Sequence, residues 1–423
     1  MSITIKTKRA FYFFPLFLMV YMACETSPVQ KEKPIGSVED AAKYFDLGVR
    51  FSREKKYQQA INNFTETLKR DPSFQRAYVH RGYVYYNLGK YSEAIQDFDK
   101  AILLGPHDVS EYALAYCLRG ESYNMLKKYA DALVDLSKSI ELKPSEAVTY
   151  NFRSVAYYHL GKIPEALVDA DKAINLDPSD YNNFDNRGII YFGLKDYDKA
   201  LVDFAASNKL NQKNAPPYAY MGTIAVHHGL INEALGLYKL AIERDANLFE
   251  AWVGLGIVYS NQGNYPEALK YFNRAIQIDP NVNGVYNERG YAYFKLEKHD
   301  EAMEDYNRAI LLDPANAESY FQRGRLYFNL EKNDEAMNDY NRAILLNPAN
   351  YESYLGRGLV YAILEKYNEA LNDINKALEL EPDSKAAYRI RGTIYNRLAG
   401  QSGEQDKKND YTEKAKADLA RSQ

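Results

Sequence analysis

The chain has 423 residues, 46% hydrophobic and 26% charged, a globular composition that excludes a disordered chain and a multi-spanning membrane protein. A net charge of −4, two cysteines and six scattered histidines argue against capture of nucleic acid, a disulfide framework and a dedicated metal site. The outlier is tyrosine, with 39 copies.

Lys6, Lys8 and Arg9 make the N-terminus basic, and Ala10 to Ala23 form an apolar stretch interrupted by Pro15. That stretch is shorter than the ~20 apolar residues of a membrane-spanning helix, so a signal peptide over 1–24 fits better. It ends in Val20-Tyr21-Met22-Ala23-Cys24, which resembles a bacterial lipobox with Tyr21 where Leu is usual. The resemblance implies lipidation at Cys24 and export to the bacterial cell envelope, anchored on the periplasmic or surface side. A cleaved secretory signal and an uncleaved anchor are the alternatives. Residues 25–40, rich in Glu, Ser, Pro and Lys, read as a tether. Without the first 24 residues, 50 basic residues face 57 acidic ones.

From residue 41 the sequence repeats every 34 residues. A Gly, an aromatic three residues later and an Ala nine further on keep the register, from Gly48 through Gly82, Gly188, Gly256 and Gly324 to Gly392. Ser154 stands in once. Ten full repeats fill 41–384, with an insertion at 109–112, and an imperfect eleventh with an inter-helix insertion occupies 385–423 as a cap. Residues 249–282 carry Trp252, Leu255, Gly256, Tyr259, Ala268, Phe272, Ala275 and Pro280. These resemble the eight consensus positions of the tetratricopeptide repeat. The resemblance implies an all-α fold, a right-handed superhelical solenoid of stacked antiparallel helix pairs, similar to tetratricopeptide lipoproteins of the bacterial envelope.

The residues support helix pairs independently. In 283–316, Tyr286, Tyr293, Leu296, Ala302, Tyr306, Ala309 and Ile310 recur at helical spacing on two segments. Repeat position 18 holds Ser92, Asp198, Asn232, Asp300, Asp334 or Asn368, residue types that cap a second helix. Prolines such as Pro280, Pro314 and Pro348 close it. One helix pair cannot bury its apolar face alone, so the array depends on neighbours. Tyrosines at positions 4 and 11, such as Tyr286 and Tyr293, read as packing residues. The insertion at 109–112 and the irregular stretch around Gln212 and Pro216-Pro217 read as bends dividing 41–108, 113–214 and 215–384.

Two positions vary together. Position 7 is Arg81, Arg119, Arg153, Arg187, Arg289, Arg323, Arg357 and Arg391. In the same units position 23 is Asp97, Asp135, Asp169, Asp203, Asp305, Asp339, Asp373 and Asp418. Units with Leu47, Met221 or Leu255 carry Asn63, Leu237 or Tyr271 instead. This predicts a structural, bidentate ion pair between the two helices of a repeat.

No Gly-rich phosphate loop, metal pair or nucleophile elbow is present, so no catalytic, cofactor or metal residue is assigned. Cys117 reads as a small apolar filler, and His227-His228 as adjacent helical residues that diverge. The resemblance implies a concave groove lined by first-helix positions 2, 5, 9, 12 and 13. Carried over by position, it comprises Tyr83, Tyr86, Asn151, Tyr158, Phe192, Asn287, Tyr291, Phe294, Phe321, Arg325 and Phe328. These aromatic and amide types suit a peptide partner. Val79 and Tyr83 stand where a carboxylate clamp for chaperone tails would need Lys and Asn. The expected function is a non-enzymatic interaction scaffold binding protein or peptide partners, with no nucleic acid and no small-molecule substrate. A regulatory or adaptor subunit of an envelope enzyme, or of an outer-membrane or pilus assembly machine, is the alternative.

Overall fold

The computed structural model describes residues 37–422. The segment expected to be a signal peptide, Cys24 and the part of the expected tether before Ser37 lie outside the described residues. The described residues form 22 helices and no strand, and they divide into two compact units at Ile224/Ala225. The division falls in the repeat opened by Pro216-Pro217.

The first unit contains α1 Ser37–Arg53, α2 Tyr57–Arg70, α3 Gln75–Asn87, α4 Tyr91–Leu103, α5 Val109–Met125 and α6 Tyr129–Leu142. It continues through α7 Ala147–His159, α8 Ile163–Leu176, α9 Tyr181–Gly193 and α10 Tyr197–Leu210, and α11 Pro216–His227 spans the division. The second unit holds α12 Ile231–Arg244, α13 Phe249–Asn261, α14 Tyr265–Ile278, α15 Asn283–Lys295, α16 His299–Leu312 and α17 Ala317–Asn329. It ends with α18 Asn333–Leu346, α19 Tyr351–Ile363, α20 Tyr367–Leu380, α21 Lys385–Gln401 and α22 Gln405–Arg421. Within each unit the two helices of a repeat pack against each other, and each pair stacks on the next.

Small residues set the approach of the paired helices. Ala at position 20, as in Ala200, Ala268 and Ala302, is fully buried. A Cβ on Gly188 would stand 2.7 Å from Phe204 Cε1, and one on Gly290 2.8 Å from Tyr306 Cε1. Position 8 must therefore lack a side chain wherever position 24 is large. Repeat 147–180 solves the same constraint the other way, with the buried Ser154 at position 8 and only Ala170 at position 24.

The turn between paired helices needs a left-handed residue at position 15. Gly161 takes φ 73°, and other turns use Lys195 at 61° and Glu331 at 60°. Gly161 N–H donates to Tyr158 O, and Lys162 N–H reaches back to Tyr157 O. This is the paired closure of a helix by a left-handed residue.

Three expectations change. Second helices begin at position 17, so the position-18 residues lie inside the first turn rather than at the cap. Position 16 is the cap, and only some of its residues act through side chains, such as Asp196 and Asn264, whose oxygens accept from Lys199 N–H and Glu267 N–H. The insertion at 109–112 does not break the stack. It adds a helical turn to the start of α5, capped by Asp108 accepting from Ser110 N–H, and one core cluster joins Phe98 and Ala101 to Ala115 and Leu118 across it. Finally, α1 begins at Ser37, inside the segment read as tether.

Candidate partner-binding face

Eight arginines at position 7 all meet their aspartates. Arg81 Nε and Nη2 donate to Asp97 at 2.8 and 2.7 Å, and Arg289 to Asp305 at 2.8 and 2.6 Å. Arg323 meets Asp339 at 2.7 and 2.8 Å, and Arg357 meets Asp373 at 2.7 Å through both nitrogens. The same fork joins Arg119, Arg153 and Arg187 to Asp135, Asp169 and Asp203. In the last repeat Arg391 and Asp418, 27 residues apart, pair at 2.7 and 2.8 Å. The extra residues there lengthen α21 and α22 instead of forming a long loop.

The third guanidinium nitrogen makes a bond that the pairing of positions 7 and 23 does not foretell. Arg323 Nη1 donates to Asn307 Oδ1 at 2.7 Å, Arg357 to Asn341 at 2.7 Å and Arg289 to Asn273 at 2.6 Å. Arg81, Arg119, Arg153, Arg187 and Arg391 reach Thr65, Asp99, Ser137, Asp171 and Asn375 in the same way. Every acceptor is position 25 of the preceding repeat. The sequence holds the signal: before Met221 and Leu255, the repeats without Arg, position 25 is Ala205 or Lys239. Tyr rings at positions 4 and 11 flank the guanidinium, with Arg323 5.8 Å from the centroids of Tyr320 and Tyr327. Position 4 also ties repeats together, since Tyr286 Oη donates to Pro280 O at 3.1 Å and Trp252 Nε1 to Ala246 O at 3.0 Å.

The groove residues divide into two classes. Asn151, Asn287, Phe321 and Tyr86 are buried, at 1, 7, 5 and 3% exposure, and are withdrawn from a partner. Position 5 faces the next repeat. Asn151 Nδ2 donates to Asn183 Oδ1 at 2.6 Å and Asn287 Nδ2 to Ser319 Oγ at 2.9 Å, each 32 residues on. Thr149 Oγ1 sits 3.4 Å from Cys117 Sγ in the same seam. Tyr86 packs its ring against Tyr91, 5.6 Å between centroids.

Tyr83, Tyr158, Phe192, Tyr291, Phe294, Arg325 and Phe328 are half-buried and open on the first-helix side. In the first unit Tyr158 lies against Gly193, and Phe192 stands edge-on to Tyr220 at 5.1 Å. In the second unit the residues converge. The Arg325 guanidinium lies 5.7 Å from the Tyr291 ring, 5.4 Å from Phe294 and 5.7 Å from Phe321. Its Nη1 donates to Gln322 Oε1 at 2.9 Å. Burial raises Glu318 against the pull of Gln322 and Arg325, and Glu288 is pushed up to about 7 by burial and by the Glu318 charge.

Burial pushes the Cys117 thiol up to about 12, which keeps it from the nucleophilic thiolate form. His227 and His228 hold their rings 5.6 Å apart at 74°. Among the described residues no group of His, Cys, Asp and Glu could hold a metal ion, and no helix is long and apolar enough to cross a membrane.

Models described as tetratricopeptide repeat match residues 76–108, 249–282 and 324–394, and one described as TPR repeat matches 290–331. The chain is 37% identical over 68 residues to Hsp70-Hsp90 organizing protein 2 of Arabidopsis thaliana, covering 16% of this chain and 12% of that relative. The structure of YrrB, described as a TPR protein with an unusual peptide-binding site, is 27% identical with a TM-score of 0.36, covering 44% of this chain and 95% of YrrB. Yeast Tom70 is 18% identical with a TM-score of 0.42, covering 90% of this chain and 96% of Tom70.

Proposed function

We propose that this chain, a tetratricopeptide-repeat protein, is a non-enzymatic scaffold that binds a protein or peptide partner along the open first-helix face. Proteins of this family mediate protein–protein interactions, and the rest of the reading is specific to this chain. The observation that carries it is the cluster of Arg325, Tyr291 and Phe294, which leaves aromatic and cationic surface half-exposed where the neighbouring position-5 residues are closed off. Aromatic and Arg side chains on a rigid helical face are the residue types that anchor partners.

The matched plant relative is named for organising Hsp70 and Hsp90. Val79 and Tyr83 stand where a clamp for chaperone tails would need Lys and Asn, and Val79 is buried, so that partner is not carried over. The proposal also places the scaffold at a bacterial envelope membrane, tethered through lipid on Cys24. It rests there on the basic N-terminus, the short apolar stretch and the lipobox-like end. Palmitate labelling of the expressed protein, lost in Cys24→Ser, is the outcome expected. Labelling unchanged in that variant, or none in the native chain, contradicts the tether.

The binding reading is tested by crosslinked recovery of partners from intact cells, comparing native chain with Phe294→Ala/Phe328→Ala. Both residues are half-buried, so circular dichroism and melting must first show the variant folded. Loss of partner recovery is expected, and equal recovery moves the binding surface elsewhere.

A further inference from the structure

The second helix of every full repeat turns position 22 outward, and three successive repeats make that position apolar. Elsewhere it is polar or Gly, as in Gln96, Glu304 and Asn338. In α6, α8 and α10 it is Val134, Val168 and Val202, which are 71, 66 and 68% exposed. Folding does not account for them, since a β-branched residue on an exposed ridge lowers helix propensity and leaves apolar surface in water. Identical links keep the three in one row. Arg153 on α7 donates to Ser137 on α6 at 3.2 Å, and Arg187 on α9 donates to Asp171 on α8 at 2.7 Å.

The charge along this row reverses. Position 19 is Asp131, Glu165 and Lys199, and position 29 is Glu141, Asn175 and Lys209. These positions flank the valine on its own face of the helix, three residues before it and two turns after. The row is therefore acidic at α6 and basic at α10. Asp131 and Lys209 have no ion-pair partner among the described residues. Glu141 meets Lys138 at 2.8 Å and Lys199 meets Asp196 at 2.6 Å, solvent-exposed local pairs of the kind that contribute little.

We infer that this row is a self-association surface, on which two copies of the chain meet about a two-fold axis running parallel to α8. That axis sets each position opposite the same position of the repeat at the other end of the row. Val134 then meets Val202 of the second copy, and Val168 meets its own counterpart. Asp131 and Glu141 meet Lys199 and Lys209 of the second copy. The other charges on the outer helices find no like charge, because Lys138 stands opposite Ala206 and Asp198 opposite Ala130. The sign reversal is what selects a second copy as the occupant, since the two ends of the row complement each other once one copy is turned end for end. The surface lies on the second helices, so the inference goes beyond the reading of the first-helix face and stands or falls apart from it.

Sedimentation velocity of the full chain over ~1–100 μM should show a reversible dimer dissociating in the micromolar range, because three helix ridges make a small interface. Every variant keeps the N-terminal segment, so differences report on the row alone. Val134→Gln/Val168→Gln/Val202→Gln should weaken the dimer at least ~10-fold and leave the melting temperature of the monomer unchanged, since Gln96 already stands at that position in a sister repeat. Lys199→Glu/Lys209→Glu makes both ends acidic, and Asp131→Lys/Glu141→Lys makes both ends basic. Each should dimerise at least ~10-fold more weakly than the native chain, and an equimolar mixture of the two should recover native-like dimers. Glu165→Gln, which removes a like-charge pair at the axis, should tighten the native dimer. A native chain that stays monomeric to ~100 μM, a dimer untouched by the valine changes, or a mixture that associates no better than its components overturns the inference.

Discussion

Arg323 reaches back across a repeat boundary to Asn307, its Nη1 donating to the amide oxygen at 2.7 Å while its other two nitrogens hold Asp339. One guanidinium thus fixes the angle between the helices of its own repeat and the seat of that repeat on the one before. The planar fork of Arg suits this double role, and Lys could not fill it. Arg323→Ala should cost ~3–5 kcal/mol, because Asp339 is left enclosed without its counter-charge. Opening free energies of α17 and α18 from hydrogen exchange are the readout, since a repeat array need not unfold as one unit. A double-mutant cycle of Arg323 with Asn307 should give ~0.5–1.5 kcal/mol of coupling. Zero coupling there would confine the arginine to its own repeat.

Gly188 faces Phe204 with no room for a Cβ. Gly188→Ser should cost ~1–3 kcal/mol by overpacking. Combined with Phe204→Ala it should cost much less than the sum of the two changes, because Ser154 with Ala170 already realises that combination one repeat earlier. Thermal melts of the four proteins measure the coupling, and strict additivity contradicts the volume exchange.

Gly161 poses the opposite case, with open space around the missing Cβ and a backbone that requires φ 73°. Gly161→Ala should lose ~1–2 kcal/mol through the backbone alone. Glu331→Gly, at the equivalent turn, should be neutral or gain up to ~1 kcal/mol as left-handed strain is relieved against the larger entropy of glycine. A lowered melt for Gly161→Ala beside an unchanged or raised one for Glu331→Gly is the expected result, and equal losses contradict it.

Burial pushes the Glu121 carboxyl from its ordinary 4.5 up to about 8, against the single bond from Asn124 Nδ2 at 2.9 Å. Unfolding returns it to the ordinary value. Below pH 4.5 both states hold the proton and its contribution to stability is full. Between about pH 4.5 and 8 the unfolded chain ionises first, and the fold loses that contribution. Asp185 and Glu288, each pushed up to about 7, act in the same direction. Glu121→Gln should therefore flatten part of the pH dependence, and raise stability at pH 8.5 by on the order of a few kcal/mol while changing little at pH 4.5. A variant whose melts keep the native pH slope contradicts this.

The helix pairs were legible because the 34-residue period repeats the same apolar positions many times. The Arg–Asp fork was legible because the repeats act as their own comparison, and Leu255 with Tyr271 shows the two positions changing together. The link from Arg323 to Asn307 was hidden because its acceptor changes type, from Thr65 to Asp99 to Asn307, and shares only an oxygen at the right place. Asn151 and Asn287 share the first-helix stripe with the open residues, and helical periodicity cannot say that stacking buries position 5. The cap was read two residues late because the left-handed residue at position 15, which sets the turn before the second helix, is more often Lys or Glu than Gly.

The most direct test of the account places a photo-crosslinking residue in the full chain, in cells, at Phe294 or Phe328 on the first-helix face. Separate copies carry it at Leu311 or Leu345 on the second helices, which are 70 and 69% exposed. The account predicts a discrete partner adduct from Phe294 and Phe328 and none from Leu311 and Leu345. Adducts from the second-helix positions alone would contradict it.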